Sequence, residues 1–286
     1  MKDDREAAAD DLPEGERLLA VADEAARAGG DVLVRTFGSG LIHRSKQAAE
    51  LVSDADLQSE AVITSVIRDH FPGHAILGEE AHAAGVDPIA SGPAGGATLP
   101  EHLWVVDPLD GTNNFVHGVD HVAVSIAYYR AGRPVVGVVL NPLRGEHYWA
   151  VAGGGAFQDG RPLRVTDATG LDQCLVGVGF YYDRGAVMEA TLAAIGDFFR
   201  RQIHGVRRFG AAALDLCSVA SGRYGAFFEY TLAPWDFAAG RLIVTEAGGV
   251  VTTARGEELP LTRSSILACT PVVQQACLTI TRRHHP

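Results

Sequence analysis

The chain has 286 residues, and its 47% hydrophobic and 21% charged content is typical of a globular protein with a substantial core. The formal net charge of −11 and the pI near 5.4 argue against a nucleic-acid backbone as the default partner, because no basic segment offsets the acidic residues. No stretch reaches the roughly 18 apolar residues of a membrane span, so we expect no membrane partner.

The first 14 residues are predicted to be a disordered acidic tail rather than a basic signal segment, and residues 15–286 to form one domain. The four cysteines are widely separated and have no metal-like spacing with histidine. They are Cys174, Cys217, Cys269 and Cys277. We expect them to be reduced and mostly buried, in a cytoplasmic protein.

Helical periodicity marks the first part of the domain. An Ala- and Leu-rich segment predicts a helix from Glu16 to Phe37, and apolar residues at four-residue spacing predict a second helix from Asp54 to His70. The polar segment from His43 to Val52, which carries Lys46, predicts either a hairpin or a mobile loop between them.

Two short apolar strands are each followed by carboxylates. Ala75 to Leu77 leads into Gly78-Glu79-Glu80, and the strand from Leu103 to Val106 leads into Asp107. The next residue is Pro108, which fixes its own φ angle and lacks an N–H donor. This strand is therefore predicted to stop at the aspartate.

The rest of the chain predicts an antiparallel sheet and then alternating strands and helices. Residues 82–102, rich in Ala, Gly and Pro, are predicted to form an exposed loop. The predicted strands of the sheet span residues 121–129, 134–140 and 147–151. Later strands are predicted at 175–180, 206–209, 226–230, 250–253 and 266–268, and helices at 186–201 and 210–221 and from near Trp235 and Pro271. This order favours layers of helices and sheets.

The segment that follows the central strand has the composition of a cation site. Asp107 and Asp110 lie three residues apart with the Leu109 carbonyl between them, and such hard oxygen ligands suit Mg²⁺. Gly111 and Thr112 predict the start of a helix whose free amide groups face a phosphate. Taken alone, the motif is as typical of an acidic turn with local hydrogen bonds.

Three segments together resemble the metal-binding motifs of one enzyme family. They are Gly78-Glu79-Glu80, the stretch from Asp107 to Thr112, and Trp235-Asp236-Phe237-Ala238-Ala239-Gly240, which is followed by Glu246-Ala247-Gly248-Gly249. Their order and approximate spacing resemble those of the inositol monophosphatase family of Mg²⁺-dependent, lithium-sensitive phosphatases. The similarity runs from about Glu16 to the C-terminus. It implies an α+β fold, a single-domain αβαβα layered sandwich, and a homodimer.

The resemblance also implies two or three Mg²⁺ ions in each site. Their expected ligands are carboxylates and one backbone carbonyl: Glu79, Asp107, Leu109, Asp110 and Asp236. An acidic protein that binds a phosphate ester needs local positive charge, and bound cations supply it. Lys46 resembles the lysine of the family's mobile metal loop, although by itself it is typical of a solvated surface charge.

Catalytic roles follow from the same likeness. Asp56 and Thr112 are expected to orient and help deprotonate the attacking water, with Glu79 as a further catalytic residue. For Asp56 alone, a carboxylate favoured by the positive end of a helix is an equally good interpretation.

The substrate side is assigned in the same way. The expected substrate-binding residues are Asp110, Gly111, Thr112, Gly210, Ala212, Glu229 and Asp236. Among these, Glu229 is expected to accept a substrate hydroxyl, while its alternative interpretation is a charge on an edge strand. Ala211 departs from the Ser or Thr that the family often has there, which leaves the identity of the substrate open.

The resemblance implies a phosphatase that hydrolyses inositol monophosphate, a small phosphorylated polyol, by metal-activated water. Fructose 1,6-bisphosphate, a 3′-phosphonucleotide and histidinol phosphate are alternative substrates within the same fold. A non-catalytic member that binds phosphate ligands is the alternative from a different class. A haloacid-dehalogenase phosphatase is excluded, because that class needs Asp-x-Asp-Gly-Thr and position 108 is proline.

Overall fold

The computed structural model describes residues 13–39, 43–47, 50–91 and 97–286. The helices are α1 (Glu14–Thr36), α2 (Asp54–His70), α3 (Glu79–Ala83), α4 (Thr112–Val116), α5 (Ala186–Arg200), α6 (Ala212–Ala220), α7 (Pro234–Glu246) and α8 (Gln274–Arg283), with 3₁₀ turns at Leu171–Gln173 and Pro271–Val273. The predicted disordered tail, residues 1–14, lies outside the described residues except for its last two. Of those, Glu14 already belongs to α1.

The first half of the chain forms a seven-stranded sheet. Its strands are β3 (Ala75–Gly78), β6 (His102–Asp110), β7 (Ala123–Arg130), β8 (Arg133–Asn141), β9 (Glu146–Val151), β10 (Gly155–Gln158) and β11 (Arg161–Pro162). Their order is β11-β10-β9-β8-β7-β6-β3, and only the β3–β6 pair is parallel. The predicted antiparallel sheet is therefore confirmed.

Two short hairpins flank this sheet. One pairs β1 (His43–Gln47) with β2 (Glu50–Ser53), and the other pairs β4 (Ala90–Ser91) with β5 (Ala97–Thr98). The hairpin alternative for the polar segment before α2 is thus correct.

The second half forms a five-stranded sheet in the order β13-β12-β14-β16-β15. Its strands are β12 (Leu175–Val178), β13 (Gly205–Arg207), β14 (Ala226–Leu232), β15 (Val250–Thr252) and β16 (Ser264–Cys269). Strand β12 lies parallel to both β13 and β14, and the remaining pairs are antiparallel.

Three clusters of buried side chains define five layers. Helices α1 and α2 cover one face of the first sheet, where Ala22 and Ile63 belong to the same cluster as Trp104. Helices α6 and α7 lie between the two sheets, while α5 and α8 cover the outer face of the second sheet. The predicted α+β sandwich, αβαβα, is confirmed.

Small residues permit close contact between the middle layer and the first sheet. A Cβ atom added to Gly137 on β8 would lie 2.8 Å from the carbonyl oxygen of Ala239 on α7. Because the backbones approach so closely, the middle of α7 packs directly against β8 of the first sheet.

Strand β6 differs from its prediction. Strand β6 continues past Asp107 to Asp110, with an irregularity that separates the pairings Asp107–Ser125 and Asp110–Ala123. Pro108 is tolerated because a bulge does not need every N–H donor of the ladder. The prediction that the strand stops at Asp107 was wrong, although the helix predicted from Thr112 is present as the single turn α4.

Other outcomes concern short elements and the cysteines. The segment predicted as a loop at residues 82–102 includes the end of α3 and the small β4–β5 hairpin. All four cysteines are buried and free, as predicted. Within the described ranges, the helices are too short or too polar for a membrane crossing.

Candidate active site

The three carboxylate motifs meet at one cleft between the two sheets. Strands β3 and β6 run parallel, with Gly78 paired to Val106, so Glu79 and Asp107 directly follow a pair of neighbouring residues on the two strands. The first turn of α7 brings Asp236 to the same place, and the cleft encloses about 890 Å³ including its open mouth. Six carboxyl side chains line it: Glu79, Asp107, Asp110, Asp215, Glu229 and Asp236.

Asp107 lies at the centre of this acidic group and is 1% exposed. Its Oδ1 accepts the amide of Leu109 at 3.0 Å, which shapes the bulge of β6. Burial raises the pKa of Asp107 well above its usual range, and the negative charges of Glu79, Asp110 and Asp236 raise it further. An isolated carboxylate here is therefore disfavoured until positive charge is supplied.

Asp110 connects the central motif to the middle layer of helices. Its Oδ1 accepts the amide of Ala212 at 3.2 Å and its Oδ2 accepts that of Ala213 at 2.8 Å, so one carboxyl satisfies two free donors at the start of α6. Burial raises the pKa of Asp110 to about 8, and the charge of Asp236 also raises it, whereas the two amide hydrogen bonds oppose the shift.

The turn after Asp110 requires glycine. Gly111 has φ = 94°, and a Cβ atom there would lie 3.1 Å from the carbonyl oxygen of His121 and 3.3 Å from that of Gly210. Gly210 itself has φ = 86°. The two turns therefore approach closely at the base of the cleft, where Ala211 is also buried.

Asp236 is fixed by the N-terminal turn of α7. Pro234 is the first residue of that helix, and the Asp236 Oδ2 accepts the amide of Ala233 at 2.7 Å. The preceding Trp235 is 7% exposed, and its ring lies 5.2 Å from that of His82 on α3. The tryptophan thus packs against the neighbouring motif, as a residue that fixes the start of the helix would.

Thr112 and Asp56 form the pair that the resemblance implies. The Thr112 hydroxyl donates to Asp56 Oδ1 at 3.1 Å and lies 3.2 Å from the Leu109 carbonyl oxygen. Asp56 is 1% exposed and lies in the first turn of α2. Its contact with Thr112 gives it a role beyond that of a carboxylate at a helix start.

Glu229 lies on β14 on the side of the cleft away from β6. It is 7% exposed, and burial raises its pKa well above the usual range, with a further contribution from Asp236 that Arg208 opposes. A Cβ atom on Gly179 would collide with the Glu229 carboxyl group, so the glycine makes room for it. Glu229 is a buried residue of the cleft and not an edge-strand charge.

The sequence interpretation missed several residues of the cleft. Asp215 on α6 is 1% exposed, and within the described part of the chain its Oδ1 has no hydrogen-bond partner. Arg208 and Arg263 also line the cleft, and the Arg263 guanidinium lies 5.3 Å from the centre of the Tyr181 ring. A charged residue within the otherwise apolar stretch Ala212–Leu216 was a signal for Asp215, whereas the loop arginines had none.

Lys46 lies on β1, and its side chain is outside the described structure. Gly210 and Ala212, which we predicted to face the substrate, line the cleft together with Gly111 and Leu109. The structure thus places all the predicted cleft residues except Asp56 on the cleft wall, with Asp56 directly behind Thr112. Their roles in metal and substrate binding stay predictions.

The donor set of the cleft fits a hard divalent cation, because carboxylate oxygens predominate. Burial, followed by mutual repulsion, raises the pKa values of Asp107 and Asp110, and a cation would lower them. Across residues 13–39, 43–47, 50–91 and 97–286, however, no three or more His, Cys, Asp or Glu side chains are arranged closely enough to hold an ion. Asp110 and Asp236 are instead turned to helix amides. The expected ligands therefore line the same cleft, but their oxygen atoms do not surround one common point.

Known proteins resemble the chain over almost its full length. The chain is 40% identical to a putative Nus factor SuhB of Neisseria meningitidis, over 93% of this chain and 98% of that protein. It is also 40% identical to inositol monophosphatase 2 of Solanum lycopersicum, over 88% and 93%. The solved extragenic suppressor protein suhB of Bartonella henselae superposes with a TM-score of 0.83 at 34% identity, covering 93% of this chain and 98% of that one.

A sequence profile gives the same result. The profile of the inositol monophosphatase family matches residues 14–285, from the start of α1 to the penultimate residue. That range includes each of the three carboxylate motifs and the Thr112–Asp56 pair. The chain therefore belongs to the inositol monophosphatase family.

Proposed function

We propose that the protein is a Mg²⁺-dependent phosphomonoesterase that hydrolyses inositol monophosphate to inositol and phosphate. The observation that carries this proposal is the Thr112 hydroxyl, which is bonded to the buried Asp56 at the edge of a cleft lined by six carboxyl groups. A site that only bound phosphate would need no such hydroxyl–carboxylate pair. The name of the tomato relative supports inositol monophosphate as the substrate.

The residues that would hold the metal are Glu79, Asp107, the Leu109 carbonyl, Asp110 and Asp236, all of which line the cleft. When bound, Mg²⁺ would neutralise the phosphate oxygens, activate the attacking water and stabilise the leaving oxygen. This positive charge would offset the repulsion between an anionic ester and the six carboxyl groups of the cleft.

The Thr112–Asp56 pair supplies orientation and a proton acceptor. Asp56 accepts the Thr112 proton, which leaves the lone pairs of the Thr112 oxygen free to accept a hydrogen bond from the attacking water. Because Asp56 is buried behind the threonine, it fixes the direction of the hydroxyl. That hydroxyl oxygen would then orient a water towards a phosphate ester bound in the cleft.

The opposite wall would receive the leaving group. Glu229 and Asp215 are buried there, and burial raises the pKa values of both well above the usual range, an effect that the charge of Arg208 only partly opposes. We propose that Glu229 accepts a hydroxyl of the polyol, since an ester of a neutral polyol offers several such donors. Fructose 1,6-bisphosphate, a 3′-phosphonucleotide and histidinol phosphate are the alternatives within the same fold.

Phosphate release from a panel of these esters, with and without Mg²⁺, tests the proposal. We expect inositol monophosphate to be hydrolysed, activity to vanish with EDTA, and Mg²⁺ to restore it. Ca²⁺ should inhibit because its longer and more variable coordination misplaces the reacting groups. Millimolar Li⁺ should inhibit as well, as the family resemblance implies.

Three outcomes would contradict the proposal in different ways. Full activity in chelator would rule out the metal-dependent mechanism. Turnover of a bisphosphate or nucleotide without turnover of inositol monophosphate would contradict the assigned substrate and place the protein in another branch of the family. No turnover of any ester would favour the non-catalytic alternative, a role that the Nus factor name of the Neisseria relative makes worth testing.

A further inference from the structure

One face of helix α2 contacts the backbone of two carboxylate motifs. Asp56, Ser59 and Glu60 lie on adjacent turns of the helix, and all three are buried. At this spacing their side chains share one face, which points towards the ends of β3 and β6. Asp56 reaches Thr112, whereas Ser59 and Glu60 have no role in the proposed chemistry.

Glu60 determines where α3 begins. Its Oε2 accepts the amide of Glu80 and its Oε1 accepts that of Ala81, each at 2.8 Å. The residue before α3 is Gly78, which has no side chain to cap the helix, so the cap comes from Glu60 on another helix. Since α3 begins with Glu79, the Glu60 carboxylate fixes the backbone that carries this expected metal ligand.

The Glu60 carboxyl group leaves no room for a side chain at position 78. A Cβ atom at position 78 would lie 2.6 Å from the Glu60 carboxyl carbon and from its Oε2. The carboxylate therefore lies directly against the backbone at the end of β3. Gly78 also pairs with Val106, the residue before Asp107, so the same point links the two motif strands.

Ser59 holds the second strand end. Its hydroxyl donates to the Pro108 carbonyl at 3.0 Å, within the bulge between Asp107 and Asp110. Helix α1 covers this contact, because a Cβ atom on Gly29 would lie 2.8 Å from the Ser59 Oγ and 2.7 Å from Ile63. The hydroxyl is therefore held in a fixed position against the Pro108 carbonyl oxygen.

We infer that Glu60 and Ser59 are positioning residues that set Glu79 and the Asp107–Asp110 bulge relative to each other for metal binding. The inference rests on the proposed function, since Glu79 and Asp107 are the ligands that it assigns. Helix α2 links the two motifs, because Glu60 accepts hydrogen bonds from the backbone after Glu79 and Ser59 donates one to the backbone after Asp107. Neither side chain needs to touch the metal or the substrate.

The test is Mg²⁺ binding by isothermal titration calorimetry on the full chain, with kinetics in parallel. Glu60→Gln keeps the shape but replaces one acceptor by an NH₂ group that faces an amide N–H. We expect Mg²⁺ affinity to fall ~10-fold or more, in the range for residues that orient metal ligands. The Mg²⁺ concentration for half-maximal activity should rise by the same factor. Asp69→Asn, an exposed carboxylate on the same helix, is the control and should change neither.

A double-substitution cycle separates positioning from a general structural role. In the Glu79→Gln protein, the remaining Mg²⁺ binding rests on Asp107, Asp110 and Asp236. Adding Glu60→Gln should then change that binding less than ~2-fold, because the residue through which Glu60 acts is already lost. An equal loss in both backgrounds would overturn the inference and show that Glu60 supports the fold as a whole.

Two further variants keep the test decisive. If Glu60→Gln does not fold, Glu60→Asp preserves the charge but is too short to reach both amides, and it should show the same fall in Mg²⁺ affinity. Ser59→Ala should weaken Mg²⁺ binding several-fold and leave the melting temperature near that of wild type. If these variants bound Mg²⁺ with the same affinity as the unsubstituted protein, the positioning role alone would be refuted. If the unsubstituted protein had no phosphatase activity, the proposed function would be refuted instead.

Discussion

The Thr112 hydroxyl donates to Asp56 Oδ1 at 3.1 Å, although the two residues are 56 positions apart in the chain. Asp56 lies in the first turn of α2, and Thr112 is the first residue of α4 after the bulge of β6. The contact therefore joins the outer helical layer to the segment that follows β6 of the first sheet. It is also the feature that most directly separates a catalytic site from a binding site.

The first prediction concerns this pair. Thr112→Ala or Asp56→Asn should lower kcat ~10²–10⁴-fold, the range for loss of an oriented acid–base group, while KM and Mg²⁺ affinity change little. The double variant should be no slower than the slower single variant, because the two groups act as one unit. Single-turnover phosphate release and Mg²⁺ titration measure the two effects separately.

A different pattern would assign the pair another role. Normal turnover in Thr112→Ala would remove the threonine from the orientation of water. If the losses in the two single variants instead multiplied in the double variant, Asp56 and Thr112 would act independently, and Asp56 would be a structural carboxylate of α2.

The second prediction concerns Asp110 and Asp236, which we propose as metal ligands. Asp110→Asn and Asp236→Asn each remove a charge and keep the shape of the side chain. Both should lower kcat/KM by more than the ~10–100-fold that is typical of residues outside the ligand shell. Circular dichroism should show both variants folded, although Asp110→Asn gives up one of its two amide contacts at the start of α6.

Asp215→Asn is the matched control for these variants. Asp215 is a buried carboxyl group of the same cleft, and the charge of Asp110 raises its pKa after the larger effect of burial. Because we assign it no metal, its substitution should cost much less activity. Equal losses at all three positions would mean that any change of a buried carboxyl group disrupts the cleft.

Much of this arrangement was predictable because local patterns determine it. The four-residue spacing in α2 gave the correct bounds, Asp54–His70, and the apolar run before Asp107 gave the central strand. The three motifs were recognisable together through their resemblance to those of the inositol monophosphatase family, and each combines carboxylates with proline or glycine residues nearby. Gly111 illustrates this, since its φ of 94° suits the glycine that the sequence has there.

The parts that were missed depend on distant contacts. Strand β6 runs through Pro108 because its pairing with β7 resumes at Asp110, which no local rule predicts. Glu60 appears in the sequence as one more polar residue of an amphipathic helix, and its partners are 20 and 21 positions away. The cleft position of Arg208 likewise depends on packing between the two sheets.

The third prediction tests stability at the C-terminus as a function of pH. Asp197 on α5 bonds to Arg200 at 2.6 Å, to Arg283 at 2.9 Å and to His284 at 2.8 Å, which ties the end of α8 to α5. The hydrogen bond from His284, followed by those from the arginines, lowers the pKa of Asp197 to about 2. Because the pKa of the folded state is lowered, the stabilisation is complete above the ordinary aspartate pKa of 3.8 and is lost as the pH falls towards 2.

Asp197→Asn should therefore lower the melting temperature at neutral pH, and the difference from wild type should shrink between pH 4 and pH 2. Asp167→Asn, at an exposed position outside this cluster, is the control and should have little effect throughout. Thermal unfolding followed by circular dichroism gives both curves. A difference that stayed constant down to pH 2 would show that the ionised carboxylate is not the source of the stability.

The fourth prediction separates substrate recognition from chemistry. Glu229 is buried on β14, opposite the strand end that carries Asp107, and Gly179 leaves the space that its carboxyl group occupies. If the leaving group is a polyol, Glu229→Gln should weaken kcat/KM for inositol monophosphate by ~1–3 kcal/mol, as expected for a lost hydrogen bond to a buried acceptor. p-Nitrophenyl phosphate has no leaving-group hydroxyl, so its hydrolysis should change much less.

The ratio of the two losses is the quantity that decides. A large ratio means that Glu229 contacts the polyol, whereas equal losses mean that it supports the whole cleft. The pH dependence adds a second measurement, because burial raises the pKa of Glu229 and the neutral acid resembles glutamine in shape and charge. The gap between wild type and Glu229→Gln on inositol monophosphate should therefore widen as the pH rises and the wild-type carboxyl group ionises, while p-nitrophenyl phosphate should show no such widening.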